Sequence, residues 1–191
     1  MPDYFTVERE FEGFLEDRKS RFYAFLMPLP DFGRRMEELR AEHRKANHLV
    51  NAFRKLHDDG RVEEIGKDDG EPSGTSGMPT LKVLQGPALV NVGVIVVRYF
   101  GGTKLGGGGL ARAYSGAAAD AIQKAELVAF ERRAEAKVSA TFSQTADLER
   151  QVGLAPVDIV DRVFDAGGVT LMLEGPEEAL DALCRDWPSR H

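Results

Sequence analysis

Residues Leu89–Phe130 read LVNVGVIVVRYFGGTKLGGGGLARAYSGAAADAIQKAELVAF, and three segments of different character follow one another there. Leu89–Tyr99 is a near-continuous β-branched run, which predicts a central strand covered on both faces. Gly101, Gly102 and Gly106–Gly109 come next. Leu110–Phe130 then predicts a long helix whose Ala117, Ala118, Ala119 and Ala121 would let it lie close on a sheet. Glycine costs backbone entropy on folding and adds no side-chain packing. Such a density of it calls for unusual backbone angles or for close approach of another group. A strand that runs through glycines into a helix start points free N–H groups and a positive dipole end at one spot. That spot suits a phosphate or another anion, with Lys104 and Arg112 as cationic partners and Arg98 close by. The competing reading is that the glycines only permit a tight crossover. Two named phosphate motifs do not apply. The order Gly102-Thr103-Lys104 lacks the Ser or Thr that follows the lysine of a P-loop. Gly106-x-Gly108-x-x-Ala111 has no parallel βαβ continuation behind it, as a dinucleotide fingerprint requires.

On the N-terminal side of this stretch, Phe11–Asp17 and Arg21–Leu29 read as two strands joined at Arg18–Ser20. Asp31–Lys45 reads as a helix with Phe32, Met36 and Leu39 on one face, and His48–Leu56 as a third strand. Gly66–Gly77, GKDDGEPSGTSG, is a loop by composition. Ser76 is placed to cap a short helix with Pro79 early in it and Leu81 and Leu84 facing inward. On the C-terminal side, the charged run Glu131–Lys137 reads as a linker between two domains, residues 1–132 and 136–191. The second reads as strand Lys137–Phe142, helix Ala146–Val152, a hairpin of Val157–Phe164 and Val169–Leu173 around Ala166–Gly168, and a helix starting at Pro176. This β-α-β-β-α order is ferredoxin-like without the last strand, so the fold class is α+β.

The chain has 191 residues, 42% of them hydrophobic and 29% charged, with a formal net charge of −6. This is the composition of a globular domain protein. No apolar run reaches membrane-spanning length, and the start, MPDYFTVERE, has no apolar segment of a signal peptide. The single cysteine, Cys184, excludes an internal disulfide framework and fits a cytoplasmic setting. The whole net charge falls within residues 135–191, and no acid lies between Glu71 and Asp120, whereas Lys82, Arg98, Lys104 and Arg112 do. A surface kept free of negative charge would admit an anion; a buried strand with glycine turns would show the same pattern.

A second polar cluster, Asp68, Asp69 and Glu71 with Ser73, Thr75 and Ser76, has two readings. It is either a site element or a turn whose side chains bond their own backbone. His48 could face the glycine loop or serve structurally. The four histidines lack partners at metal-ligand spacing, so no metal is expected, and no cofactor is expected either. Cys184, on an apolar helix face, reads as core. No catalytic residue is named by any motif.

Three blocks resemble the IMPACT/YigZ family: KSRFYA (Lys19–Ala24), DDGEPSGTSGMPTL (Asp68–Leu81) and VVRYFGGTKLGGGGLARAYSGAA (Val96–Ala118). The resemblance implies a first domain with the β-α fold of a ribosomal small-subunit protein and of domain IV of the translocation elongation factor. It also implies a small ferredoxin-like second domain, and an association with regulation of translation. Eukaryotic members compete for a ribosome-associated activator of a stress kinase. The sequence departs from the family in NHLVNAF (Asn47–Phe53), where His48, Ala52 and Phe53 match, and at Gly107. The expected function is therefore a translation-associated regulator that binds RNA or the ribosome through the glycine-rich surface of Arg98, Lys104, Gly106–Gly109 and Arg112. Asp68, Asp69, Glu71, Ser73, Thr75 and His48 form a candidate second element. The alternative is an enzyme acting on a phosphorylated or nucleotide-like small molecule at the same loop.

Overall fold

A computed structural model describes residues 4–188. The chain divides into two compact units, 1–130 and 131–191. In the first, β1 (Phe5–Thr6), β2 (Phe11–Asp17), β3 (Ser20–Pro28), α1 (Leu29–Glu42), β4 (His48–Leu56), β5 (Val62–Lys67), α2 (Gly77–Gln85), β6 (Val92–Tyr99), α3 (Gly106–Lys124) and β7 (Val128–Ala129) follow in order. Five strands form one sheet in the order β2-β3-β6-β4-β5, antiparallel throughout. The β-branched run is its middle strand, as its composition predicts.

Side chains alternate across β6, and the two faces have separate cores. Val92, Val94 and Val96 join Leu81, Leu84, Leu110, Tyr114, Ala117 and Ala121 under α2 and α3. Ile95 and Val97 join Phe25, Met27 and Leu39 under α1. The alanine face of α3 is fully buried at Ala117, Ala118 and Ala121, so the helix lies close on the sheet.

Several boundaries differ from the sequence expectations for identifiable reasons. Helix α3 starts at Gly106, so the four glycines are its first turn rather than a loop before it. It stops at Lys124 because Val128–Ala129 pair with Phe5–Thr6 in a two-stranded sheet. Strand β6 starts at Val92, since Ala88 and Asn91 hold left-handed backbone angles. Strand β5 extends through Gly66 and Lys67, so the loop begins at Asp68. Helix α1 starts earlier, with Pro30 in its first turn. Ser76 sits at the N-cap of α2 but its side chain makes no cap bond; Asp68 takes that role, as described below.

The second unit contains β8 (Arg133–Ala140), a 3-10 turn (Phe142–Gln144), α4 (Thr145–Leu154), β9 (Asp158–Asp165), β10 (Gly168–Pro176) and α5 (Glu177–Asp186). Its antiparallel sheet has the order β8-β10-β9, which gives the β-α-β-β-α plan. Most of the segment expected as a linker is instead strand: β8 begins at Arg133, and Arg133–Lys137 pair with Met172–Pro176 of β10. Leu148 and Val152 of α4 and Leu180 and Leu183 of α5 bury against Val138, Leu171 and Leu173, with Cys184 packed beside them.

Candidate functional site

The alternation that gives β6 its two faces also sets the fate of Arg98. It continues the Val92-Val94-Val96 face, so its side chain enters the core beneath α3 instead of projecting to solvent. The arginine is buried and paired with the equally buried Glu71 carboxylate through Nη1 and Oε1. Tyr114 of α3 donates to the same Oε1 at 2.6 Å. Burial first, and the bond to Glu71 second, push the Tyr114 phenol well above its ordinary range, so it stays a neutral donor. The Arg98 guanidinium also faces the rings of Phe22 and Phe100 at 5.6 and 5.5 Å. Its Nε has no hydrogen-bond partner. Arg98, expected close to the anion site, thus brings a charge that Glu71 already balances.

The acidic loop divides its labour. Asp68 Oδ1 accepts the backbone N–H groups of Ser76 and Gly77 and the Ser76 hydroxyl, at 2.7–3.0 Å, and Oδ2 accepts Gly74 N–H. Burial raises the Asp68 carboxyl, but the bonds from Ser76, Gly77 and Gly74 outweigh it and hold the group below the ordinary carboxylate range. Asp69 Oδ2 accepts Leu49 N–H at 2.7 Å and Oδ1 meets Arg40. Asp68 and Asp69 are therefore occupied in holding the loop, which is the backbone-bonding reading of the cluster. Thr75 donates to the Pro72 carbonyl, and Ser73 is exposed.

Glu71 is the member that enters the site. It lines a cavity of about 380 Å³ together with Asn47, His48, Arg98, Phe100, Lys104, Gly106 and Gly107. Pro72, Leu105 and Leu110 complete the wall. His48 Nδ1 lies 2.8 Å from the Asp69 carbonyl. A carbonyl only accepts, so Nδ1 carries the proton and Nε2 faces Glu71 Oε2 at 3.8 Å. The two sequence blocks, one acidic and one glycine-rich, thus meet at one cavity. Asp68, Asp69, Ser73, Thr75, Gly108, Gly109 and Arg112 are not part of its lining.

Helix α3 opens onto this cavity with no side-chain cap and no acid in its first turn. The N–H groups of Gly106, Gly107 and Gly108 have no carbonyl one turn back to bond. The glycines differ in what their own surroundings require. Gly106 needs its lack of Cβ for a φ of +72°. A Cβ on Gly109 would lie 2.9 Å from Leu105 Cβ. Gly101 is crossed closely by the Lys19–Ser20 backbone. By contrast, a Cβ on Gly108 would meet only the flexible end of Arg112, at 3.6 Å, and one on Gly107 only the Thr75 methyl, at 3.3 Å. Two glycines in a helical turn therefore remain without an internal packing reason. Lys104 and Arg112 are exposed, and neither forms an ion pair among the described residues.

Asn47, Phe100 and Tyr114 were not legible as site residues. Asn47 Oδ1 accepts Phe100 N–H at 3.1 Å and so fixes the turn that presents the ring. Among the described residues no three His, Cys, Asp or Glu side chains converge as a metal site would need, and no helix is long and apolar enough to cross a membrane.

The family model of the Impact N-terminal domain matches residues 18–122, a span that contains every residue of this cavity. The chain belongs to the IMPACT family. An IMPACT family member from Haemophilus influenzae is 32% identical over 170 residues, covering 87% of this chain and 82% of that protein. The IMPACT family member YvyE of Bacillus subtilis is 32% identical over 155 residues, with 80% and 70% covered. Among solved structures, a crystal structure of a hypothetical protein superposes with a TM-score of 0.68 at 28% identity, covering 97% of this chain and 91% of its own. The likeness to that structure spans both units of this IMPACT protein.

Proposed function

We propose that this IMPACT protein is a translation-associated regulator that binds RNA by a phosphate held at the start of α3. Association with translation comes from the family; the phosphate comes from the site. The observation that carries it is the uncapped first turn of α3, where Gly107 and Gly108 lack a packing reason of their own, opening beside Lys104 onto a cavity. Backbone N–H groups with the positive helix end attract an anion. Glycines there let a phosphate oxygen reach the backbone. With Arg98 neutralised by Glu71, the free cations are Lys104 and Arg112, so few phosphates are neutralised.

The test is a titration of a short single-stranded RNA at several salt concentrations. With two cationic contacts, log K against log[salt] has a slope of about −1.4. Lys104→Ala with Arg112→Ala flattens it by about one contact each and weakens all sequences alike, since phosphate contacts carry no base information. An unchanged slope and affinity in the folded double variant overturns the reading. The convergence of Glu71, His48 and Asn47 on one cavity favours a second reading, a small-molecule enzyme, because a few converging polar groups in one pocket is what such a site needs. Binding of a phosphorylated metabolite with no RNA binding would select it.

A further inference from the structure

The cavity has two kinds of wall, and the phosphate reading uses one of them. The other is Phe100. This ring follows the last residue of the central strand, is 49% exposed, and lines the cavity that Gly106 and Gly107 also line. A large aromatic side chain left half in water at the end of a buried strand has no role in either core of the first unit. It is nevertheless held in place. Its N–H is fixed by Asn47 Oδ1, and the buried Arg98 guanidinium stands 5.5 Å from its centroid. Arg98 itself is more than nine-tenths buried, lines the cavity, and has an Nε without a partner. A positioned ring backed by a guanidinium is a stacking platform for a flat heterocycle. A volume of about 380 Å³ lies near the small end of ligand sites, the size of one nucleotide rather than of a folded RNA element.

We infer that the cavity takes a single nucleoside monophosphate unit, its phosphate on the N–H groups of Gly106 and Gly107 beside Lys104 and its base stacked on Phe100. This rests on the phosphate reading above and adds the aromatic half of the ligand. The Asn47 amide, whose oxygen is taken by Phe100 N–H, has its NH₂ group left to donate toward the bound unit. The same chemistry is presented by a free nucleotide and by the phosphorylated end of an RNA strand.

Calorimetric titrations of the full chain test this with eight probes: the four nucleoside 5′-monophosphates, ribose 5-phosphate, adenosine, inorganic phosphate and a 5′-phosphorylated hexaribonucleotide. At least one monophosphate should bind about 5- to 150-fold tighter than ribose 5-phosphate, the range that stacking of one base gives. Phe100→Ala should remove that margin while leaving ribose 5-phosphate binding as it was, which also shows that the variant is folded. Tighter binding of the hexanucleotide than of the monophosphate assigns the site to an RNA end, and the reverse assigns it to a free nucleotide; both support the inference. If ribose 5-phosphate binds as tightly as every nucleotide, the stacking half is wrong and the phosphate reading stands. If no phosphate-bearing probe binds, both fall.

Discussion

Substituting the four glycines of the first α3 turn one at a time by alanine separates chain geometry from ligand approach, because the structure assigns a gain at one, a near-balance at another and a cost at two. At Gly108 the new Cβ meets only the Arg112 guanidinium at 3.6 Å and the backbone angles are ordinary. Alanine is the better helix former by up to about 1 kcal/mol, so Gly108→Ala should stabilise the protein by roughly 0.5–1 kcal/mol. For a unit of this size that corresponds to about 2–5 °C in Tm. Gly107→Ala should be near neutral, since the gain is offset by the Thr75 methyl at 3.3 Å. Gly106→Ala should cost about 1–2 kcal/mol, the penalty for a side chain at its φ of +72°. Gly109→Ala should cost about 1–3 kcal/mol, because two Cβ atoms 2.9 Å apart force a backbone shift. Thermal melts of the five proteins give the stability order, and titration with inorganic phosphate gives binding. The expected pattern is a Gly108→Ala protein that melts higher, and a Gly107→Ala protein, altered at the cavity wall, that binds phosphate more weakly. If Gly108→Ala melts lower than the parent, the glycines serve the chain's own geometry. If Gly107→Ala is folded with phosphate affinity intact, nothing approaches the backbone there.

Two further predictions concern the groups that hold the cavity together. Glu71→Ala leaves Arg98 buried without a counter-charge and should cost about 3–5 kcal/mol in urea unfolding. Glu71→Leu with Arg98→Met should recover most of that loss, and failure of the double variant to recover would mean that the pair is not the source of the cost. Asp68→Asn should lower Tm at pH 7, with a loss of about 1–3 kcal/mol. Because the folded Asp68 carboxyl is held below the unfolded value of about 3.9, its contribution is present above that pH and disappears as pH falls through the lower folded value. The melting temperatures of the two proteins should therefore draw together as the pH falls, and a difference that does not shrink toward acid would contradict this assignment.

The large elements were legible because their patterns are strong and local. The β-branched run of β6 and the alanine face of α3 state their burial directly, as does the β-α-β-β-α order of the second unit. Strand β5 was not, since VEEIGK lacks a β-branched alternation and owes its place to pairing with β4. The site was half legible. Glycine density and the missing acids marked the start of α3. Glu71, however, sits in DDGEPSGTSG, a composition that announces solvent, and nothing local reveals that it crosses to a strand 27 residues later. Arg98 had a usable signal: two residues past Val96 on an alternating strand, it had to share the buried face, and a buried arginine needs a counter-charge. Asp68 displaces Ser76 as the cap of α2 through bonds across six to nine residues, beyond the reach of capping rules that look at adjacent positions.

The short pairing of β1 with β7 sets the order in which this protein can be completed during synthesis. Phe5 exchanges backbone bonds with Ala88 and Val90 and lies opposite Ala129, so a segment made 124 residues before its final partner is among the last to be locked. At roughly 5–20 residues per second, Phe5 waits about 6–25 s for its final partner. Until then that segment has no settled partner, and Val7 and Phe11 beside it, buried once the unit is complete, stay open to solvent. Closure of that small clasp marks the moment at which the first unit stops being a nascent chain, while the residues of the second are only beginning to emerge.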